Sequence, residues 1–449
     1  MKKNIIVSIC FVVILFVVAL PCRAGYDYIS ISDPFIRKIP VAVPVFKSLT
    51  SNSKEDIVAK EASKILADAL KFTGYFKIVD RGAYLEKPSQ IGITKRTLKF
   101  KNWTCIGAEF LITGGVSIEE NKLTMELRLF DTVKAKLLIG KEYISNIDEQ
   151  RKMIHRFASQ VVYYFTGSKG VFDTQIAFVS TGTGKKEIYT CDFDGNNPQK
   201  VTNAKSIALS PVWSSDGKWL AYTSYKNGKP DLFIKNLKGQ NGYIIDKKGS
   251  NISPCWLPGQ NKLAATLTFT GDPEIYLLTG TGKIIKRLTY SRGIDVSPSF
   301  SPDGNYMVYV SHGSGTPQLY IMNLETGKSR RLTYSGKYNT SPAWSPTGDK
   351  IAYVGGRDGH FNIYLIYVKS DGTADGAIIG GESVQLTFDA GDNEDPAWSP
   401  DGSLILFSST RDGKSRIYVM TAAGTDQQCL LTLDGLQMDP AWSAVNENY

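Results

Sequence analysis

The side chains able to do chemistry are sparse and poorly spaced for it. His155, His312 and His360 lie far apart and make no ligand-spaced pair of the kind a metal centre uses. The string TGTGK, ending at Lys185 and again at Lys283, looks like a phosphate loop. Neither lysine is followed by Ser or Thr, and neither opens a helical pattern, so both strings read as hairpin turns. HGSG, from His312, lacks the G-x-S-x-G spacing of a nucleophile elbow. Cys105, Cys191, Cys255 and Cys429 include no C-x-x-C pair and sit in apolar runs, the pattern of buried free thiols. A disulfide stays open as the alternative in an oxidising compartment. These residues predict no catalytic centre, no enzyme and no cofactor.

What positions them is a repeat. An aromatic preceded by Pro-x recurs at Trp213, Trp256, Phe300, Trp344, Trp398 and Trp442, at intervals of 43, 44, 44, 54 and 44 residues. All but the last are followed by a corner such as SPDG at Ser301 and Ser399, then by short β-branched and aromatic strands; blade two has LPGQ instead. Four strands per unit and six units predict a six-bladed β-propeller over residues 175–443. Proline lacks an N–H, so Pro254, Pro298, Pro342, Pro396 and Pro440 suit an edge strand beside the central channel. The tryptophans read as inter-blade packing rather than a ligand cage. The array opens at Gln175 without a Pro-x-Trp strand and closes on DPAWS, so the last inner strand is expected to pair with the first three. Ten extra residues fall in KSDGTADGAIIGGES, between a third and a fourth strand. Asp395 and Asp439, with Ser210, Ser253, Ser297 and Ser341 at the matching positions, outline a channel ring at which a cation is a low-ranking possibility.

Residues 25–168 carry no repeat and read as a small N-terminal α/β domain, making the fold class multidomain, α/β plus all-β. KIPVAVPVF is a predicted strand. Ser53–Phe72 is a predicted helix with Ile57, Val58, Ala62, Ile65, Leu66 and Ala69 on its buried face. A second helix is predicted from Asp148 to Phe165, before a linker at 169–174. The domain is expected on the corner face of the propeller, where the chain enters. The opposite face is left for a partner.

Lys2 and Lys3, an apolar run from Ile5 to Leu20, and a small residue at Ala24 predict a secretory signal peptide over 1–24. Without it the net charge falls from +9 to +6 by loss of Lys2, Lys3 and Arg23. That excess is scattered, which argues against a nucleic-acid partner. Residues 444–449 form a short tail.

The junction HRFASQVVYYFTGSKGVFDTQIAFVS, from His155, together with WTCIGAEFLITGGV from Trp103 and the SPAWSPDG-type repeats, resembles the TolB family of Tol–Pal envelope systems. The resemblance implies a periplasmic, monomeric binding protein, reaching membranes only through its partners. It implies contact with the lipoprotein Pal through the propeller and with TolA through the mature N-terminus, in support of outer-membrane invagination and envelope integrity. By position it places the Pal surface at Ser250, Asn251, Ile252, Ser253, Asp295, Val296 and Ser297, extended by the repeat to Asn339, Thr340, Glu394 and Met438. The TolA segment would be Tyr26, Asp27, Tyr28, Ile29, Ser30, Ile31 and Ser32, an alternating stretch suited to strand addition. A propeller that binds other peptides or sugars, or the propeller part of a peptidase-like protein, stays open.

Overall fold

The computed structural model describes residues 37–445 except 51, 240–241, 358, 371–377 and 389. The predicted signal peptide, the Tyr26–Ser32 segment, most of the tail and the centre of the long hairpin lie outside the described residues.

The N-terminal domain is one mixed sheet with helices packed on it. β1 (Ile39–Ala42) runs parallel to β3 (Phe76–Ile78) and β4 (Phe110–Glu119); β5 (Lys122–Asp131) and β6 (Lys136–Asn146) extend the sheet antiparallel, and β2 (Lys47–Ser48) pairs with β4. Helix α1 (Ser53–Phe72) starts where the Asn52 side chain accepts from Lys54 N, and buries Val58, Ala62, Leu66 and Ala69. Ile57, expected on that face, is 68% exposed, because the buried stripe is narrower than the apolar run. Glu55 is fully buried one turn into the helix. Burial opposes its charge, but hydrogen bonds from Ser48, Thr50 and the Ile118 N–H outweigh that and hold its carboxyl at about 2. It thereby ties α1 to β4 and to the loop after β2.

The KIPVAVPVF strand ends at Ala42, short of its predicted length. The WTCIGAEFLITGGV segment opens in helix α2 (Phe100–Cys105) and enters β4 at Phe110. Trp103 is buried edge-on against Tyr84, which fixes this short helix to the domain. Helix α3 (Gln150–Thr166) stops at Gly167, whose φ of 74° only glycine adopts cheaply.

Six four-stranded antiparallel sheets follow. The inner strands are Ala208–Trp213, Asn251–Trp256, Asp295–Phe300, Tyr338–Trp344, Asn393–Trp398 and Gln437–Trp442, for blades one to six. Each is the edge of its own sheet, and successive inner strands touch around the ring. Blade six combines Gln437–Trp442 with Gln175–Ser180, Glu187–Asp192 and Gln199–Lys200, so the two ends of the propeller close on each other. The closure is reinforced where Trp442 Nε1 donates to Thr174 Oγ1 at 2.7 Å and Ser443 N donates to Gln175 O at 2.9 Å.

The corner is a hydrogen-bonded unit. In blades one, three and five the corner serine (Ser214, Ser301, Ser399) donates to the aspartate two residues on and accepts from the first N–H of the next strand. Blade two keeps the turn with Leu257, which is buried beside Phe300 in the seam to blade three. The repeated Leu-Thr works in the same way. Thr202, Thr289, Thr333 and Thr387 each accept an N–H of the third strand through Oγ1 and donate to the side chain of the residue just before that N–H.

The N-terminal domain lies against the corner face. Lys38 Nζ donates to Asp426 Oδ1 at 2.7 Å, Arg151 pairs with Asp194, and Phe72 meets Phe193 edge-on at 5.3 Å. His155 packs against Phe172 and Phe193; burial, then Arg151, pushes its imidazole down to about 4, so it is a neutral packing residue. The four described cysteines are free, but Cys105 and Cys429 are exposed, since each ends its helix or strand at the surface. In blade four the extra residues lengthen the hairpin, with strands His360–Ser370 and Ile378–Gln385.

Candidate functional site: the open mouth of the propeller

The inner strands share an unusual backbone feature. The residue before each proline, Ser210, Ser253, Ser297, Ser341, Asp395 or Asp439, has φ between 48° and 54°. Left-handed backbone costs a non-glycine residue about 1–2 kcal/mol; Asp is among the types that bear it best, and the four serines bear it without that advantage. The strand register shifts at this point in all six blades, for example between Leu209 and Val212. The proline therefore sits in a bulge, where its missing N–H breaks no ladder bond. The freed N–H of Ser210 donates to Asp439 Oδ2 at 3.0 Å. Asp395 is pushed well above the ordinary carboxylate range by burial and by neighbouring Asp439. Among the described residues no three His, Cys, Asp or Glu side chains are grouped to hold a metal ion.

Two residues before the bulge lies a fully buried position: Ala208, Asn251, Asp295, Asn339, Asn393 and Gln437. Three of the six residues are asparagines that latch one blade to the previous one. Asn251 Nδ2 donates to Asp231 Oδ1 at 3.1 Å, Asn339 Nδ2 to Gln318 Oε1 at 2.9 Å, and Asn393 Nδ2 to Asn362 Oδ1 at 3.2 Å. Asn251, Asp295 and Asn339, expected on a partner surface, are therefore corrected: they are interior, and their side chains are turned into the inter-blade seam.

The seam between blades two and three is the exception. There Asp295 meets Glu274, both buried, and Asp295 Oδ1 has no hydrogen-bond partner. Burial raises Glu274 above its usual range and Asp295 adds to the rise, against Thr289 and Arg287, which bind its carboxylate at 2.5 Å each. A carboxyl raised by folding contributes stability below its unfolded pKa and loses it as pH rises through the folded value. Asp295→Asn introduces the latch found at Asn251, Asn339 and Asn393. It should stabilise the protein by about 1 kcal/mol near neutral pH, with a gain that shrinks at acid pH as Glu274 protonates. Thermal melts of both proteins at acid and at neutral pH check this; an unchanged or lower melting temperature at neutral pH would contradict it.

Either side of the buried position, side chains reach the mouth opposite the N-terminal domain. After it come Leu209, Ile252, Val296, Thr340 and Met438, all half-buried, and exposed Glu394. Before it come Ile207 (40% exposed), Ser250, Ile294 (39%), Tyr338 (42%), Asp392 and Leu436 (36%). Ser253 and Ser297 line the bulge itself, half-buried. Of the expected surface, Ser250, Ile252, Ser253, Val296, Ser297, Thr340, Glu394 and Met438 are thus brought to one mouth. Sequence reading missed Ile207, Leu209, Ile294, Tyr338 and Leu436. The repeat itself held the signal, since these occupy the same two positions in every unit. It also missed Tyr290, Tyr334 and Phe388, which follow Leu-Thr and are 62–74% exposed. Arg287 and Arg331 lie over the rings of Tyr290 and Tyr334 at 4.7 and 5.1 Å and hold them in place.

This architecture defines a two-domain propeller protein with an α/β domain on one mouth and an open, apolar second mouth. Family comparison resolves it further. Residues 163–446 match the TolB beta propeller domain and residues 27–138 the TolB amino-terminal domain, and the chain belongs to this TolB family. It is 52% identical over 283 residues to the Tol-Pal system protein TolB of Desulfosudis oleivorans, an alignment covering 63% of this chain and 65% of that one. It is 40% identical over 270 residues to the Protein TolB homolog of Chlorobium chlorochromatii, covering 60% of each. Both alignments span less than two thirds of the relatives' length. The crystal structure of TolB from Acinetobacter baumannii superposes with a TM-score of 0.75 at 22% identity, covering 91% of this chain and 97% of that one, a likeness of fold. No helix among the described residues is long and apolar enough to cross a membrane.

Proposed function

We propose that this chain is a non-enzymatic, periplasmic docking component of a Tol–Pal system that binds the lipoprotein Pal through the open mouth. In the same reading its mature N-terminal segment, Tyr26 to Ser32, engages TolA, and the cycle supports outer-membrane invagination at division. The carrying observation is the double ring of exposed and half-buried apolar side chains at a mouth that the N-terminal domain leaves uncovered. Exposed apolar side chains clustered around one opening are the usual mark of a protein-binding surface. Family membership and the printed names of the relatives support the choice of system.

The reading is tested by affinity capture with the soluble domain of the cognate Pal. Recovery of a stoichiometric complex is expected. Failure to recover Pal with folded protein, together with an intact envelope on deletion of the gene, would overturn it.

A further inference from the structure

Charge at the open mouth is unevenly distributed. Four loops, 181–186, 203–207, 225–230 and 246–250, are stitched into one arc across blades six, one and two. Ala208 N donates to Lys186 O at 2.8 Å, Tyr225 N to Ile207 O at 2.8 Å, and Asn251 N to Pro230 O at 2.9 Å. The arc carries Lys185, Lys186, Lys205, Lys226, Lys247 and Lys248, none of them in an ion pair among the described residues, and a single acid, Asp246. A seventh lysine, Lys229, pairs with buried Asp231. Across the mouth, blades five and six present Asp392, Glu394, Asp412 and Asp434 above half-buried Asp395 and Asp439, against two bases on the 410–415 loop, Arg411 and Lys414, so that half is acidic on balance. The apolar ring lies between the two halves.

We propose that the lysine arc steers and orients a protein partner whose docking surface is acidic on the side that meets blades six, one and two. This rests on the reading that the open mouth is where the partner docks, and it adds the partner's chemistry and its rotational register. A flat anionic bilayer fits less well, because the acidic half of the same mouth would repel it. A protein with one acidic side satisfies both halves. Unpaired lysines on hydrogen-bonded loops offer a fixed positive field, which raises association rates more than it slows dissociation.

The test compares Lys185→Glu/Lys226→Glu/Lys248→Glu with a control of equal charge change on the N-terminal domain, Lys60→Glu/Lys122→Glu/Lys141→Glu. Association with the soluble Pal domain is followed by stopped flow across a salt series, alongside binding of a fluorescent deca-glutamate peptide and of phosphatidylglycerol vesicles. The arc variant should lose about tenfold or more in association rate at low salt, with a flatter salt dependence. It should also lose deca-glutamate binding, while the control keeps both. Unchanged Pal association in the arc variant overturns the proposal and leaves the docking reading standing. Vesicle binding that is lost in the arc variant while Pal association is unchanged assigns the arc to a membrane and also overturns it. If the unmodified chain binds no Pal, the docking reading fails. The deca-glutamate comparison then decides: loss confined to the arc variant supports an acidic partner, and equal binding overturns one.

Discussion

Removal of residues 439–449 is expected to abolish cooperative unfolding of the propeller. The deletion takes most of the inner strand of blade six, with the pairs Ala441↔Ala177 and Trp442↔Ile176 and the bonds from Trp442 to Thr174 and from Ser443 to Gln175. It leaves the Gln175–Ser180 strand as a bare edge and opens the ring. It also empties the site of Trp442, which packs in the same core as Phe157, Phe178 and Leu404, spanning both domains. Loss of a buried tryptophan alone costs about 3–5 kcal/mol, a large part of the 5–15 kcal/mol that ordinarily separates folded from unfolded protein. Calorimetry should show a broadened transition at least 10 °C lower (roughly what several kcal/mol does to a domain of this size). A deletion protein with an unchanged melting profile would refute the closure.

The second large effect is at the mouth. Val296 sits half-buried between exposed Ile294 and the bulge at Ser297, in the middle of the apolar ring. Val296→Arg puts a long charged side chain where a partner must make dry contact. Central apolar residues in protein interfaces typically carry about 2 kcal/mol or more each. We therefore expect Pal affinity to fall by about 30-fold or more, chiefly through faster dissociation. Because Val296 also packs toward Trp344, Ile294→Gln serves as the companion variant: its side chain is more exposed and belongs to no core cluster among the described residues, so the melting temperature should change little while affinity still falls. Unchanged Pal affinity in both variants, measured by calorimetry, would mean that the wrong face has been assigned.

The propeller was legible in the sequence because its signal repeats six times and each copy has a local physical cause. Proline at an edge, the Ser-x-Asp-Gly corner and the Leu-Thr bracket are all satisfied by near neighbours. The N-terminal domain was less so, since its pattern occurs once. Ile57 fits the apolar stripe yet faces solvent, and the short helix Phe100–Cys105 has too few residues to show a helical period. The mouth was half legible. Its place in the repeat was readable, but alternation along a strand swaps interior for exterior at every residue. A surface assigned as a contiguous block therefore included Asn251, Asp295 and Asn339, whose side chains close the seams, and omitted Ile207, Ile294 and Leu436. Only the bulge, a backbone feature with no side-chain signature beyond Ser or Asp before proline, fixes which residues reach the opening. The charge pattern of the mouth needs the closed ring, since Lys185 and Lys248 belong to different blades and join one arc only through it.

The most direct measurement is amide hydrogen exchange on the chain alone and in complex with the soluble Pal domain. Binding at the open mouth predicts slower exchange in 203–210, 246–253 and 289–297, with the corners at 257–260 and 301–304 unchanged. Protection at the corners or along the N-terminal domain, with the mouth segments exchanging as before, would contradict the account.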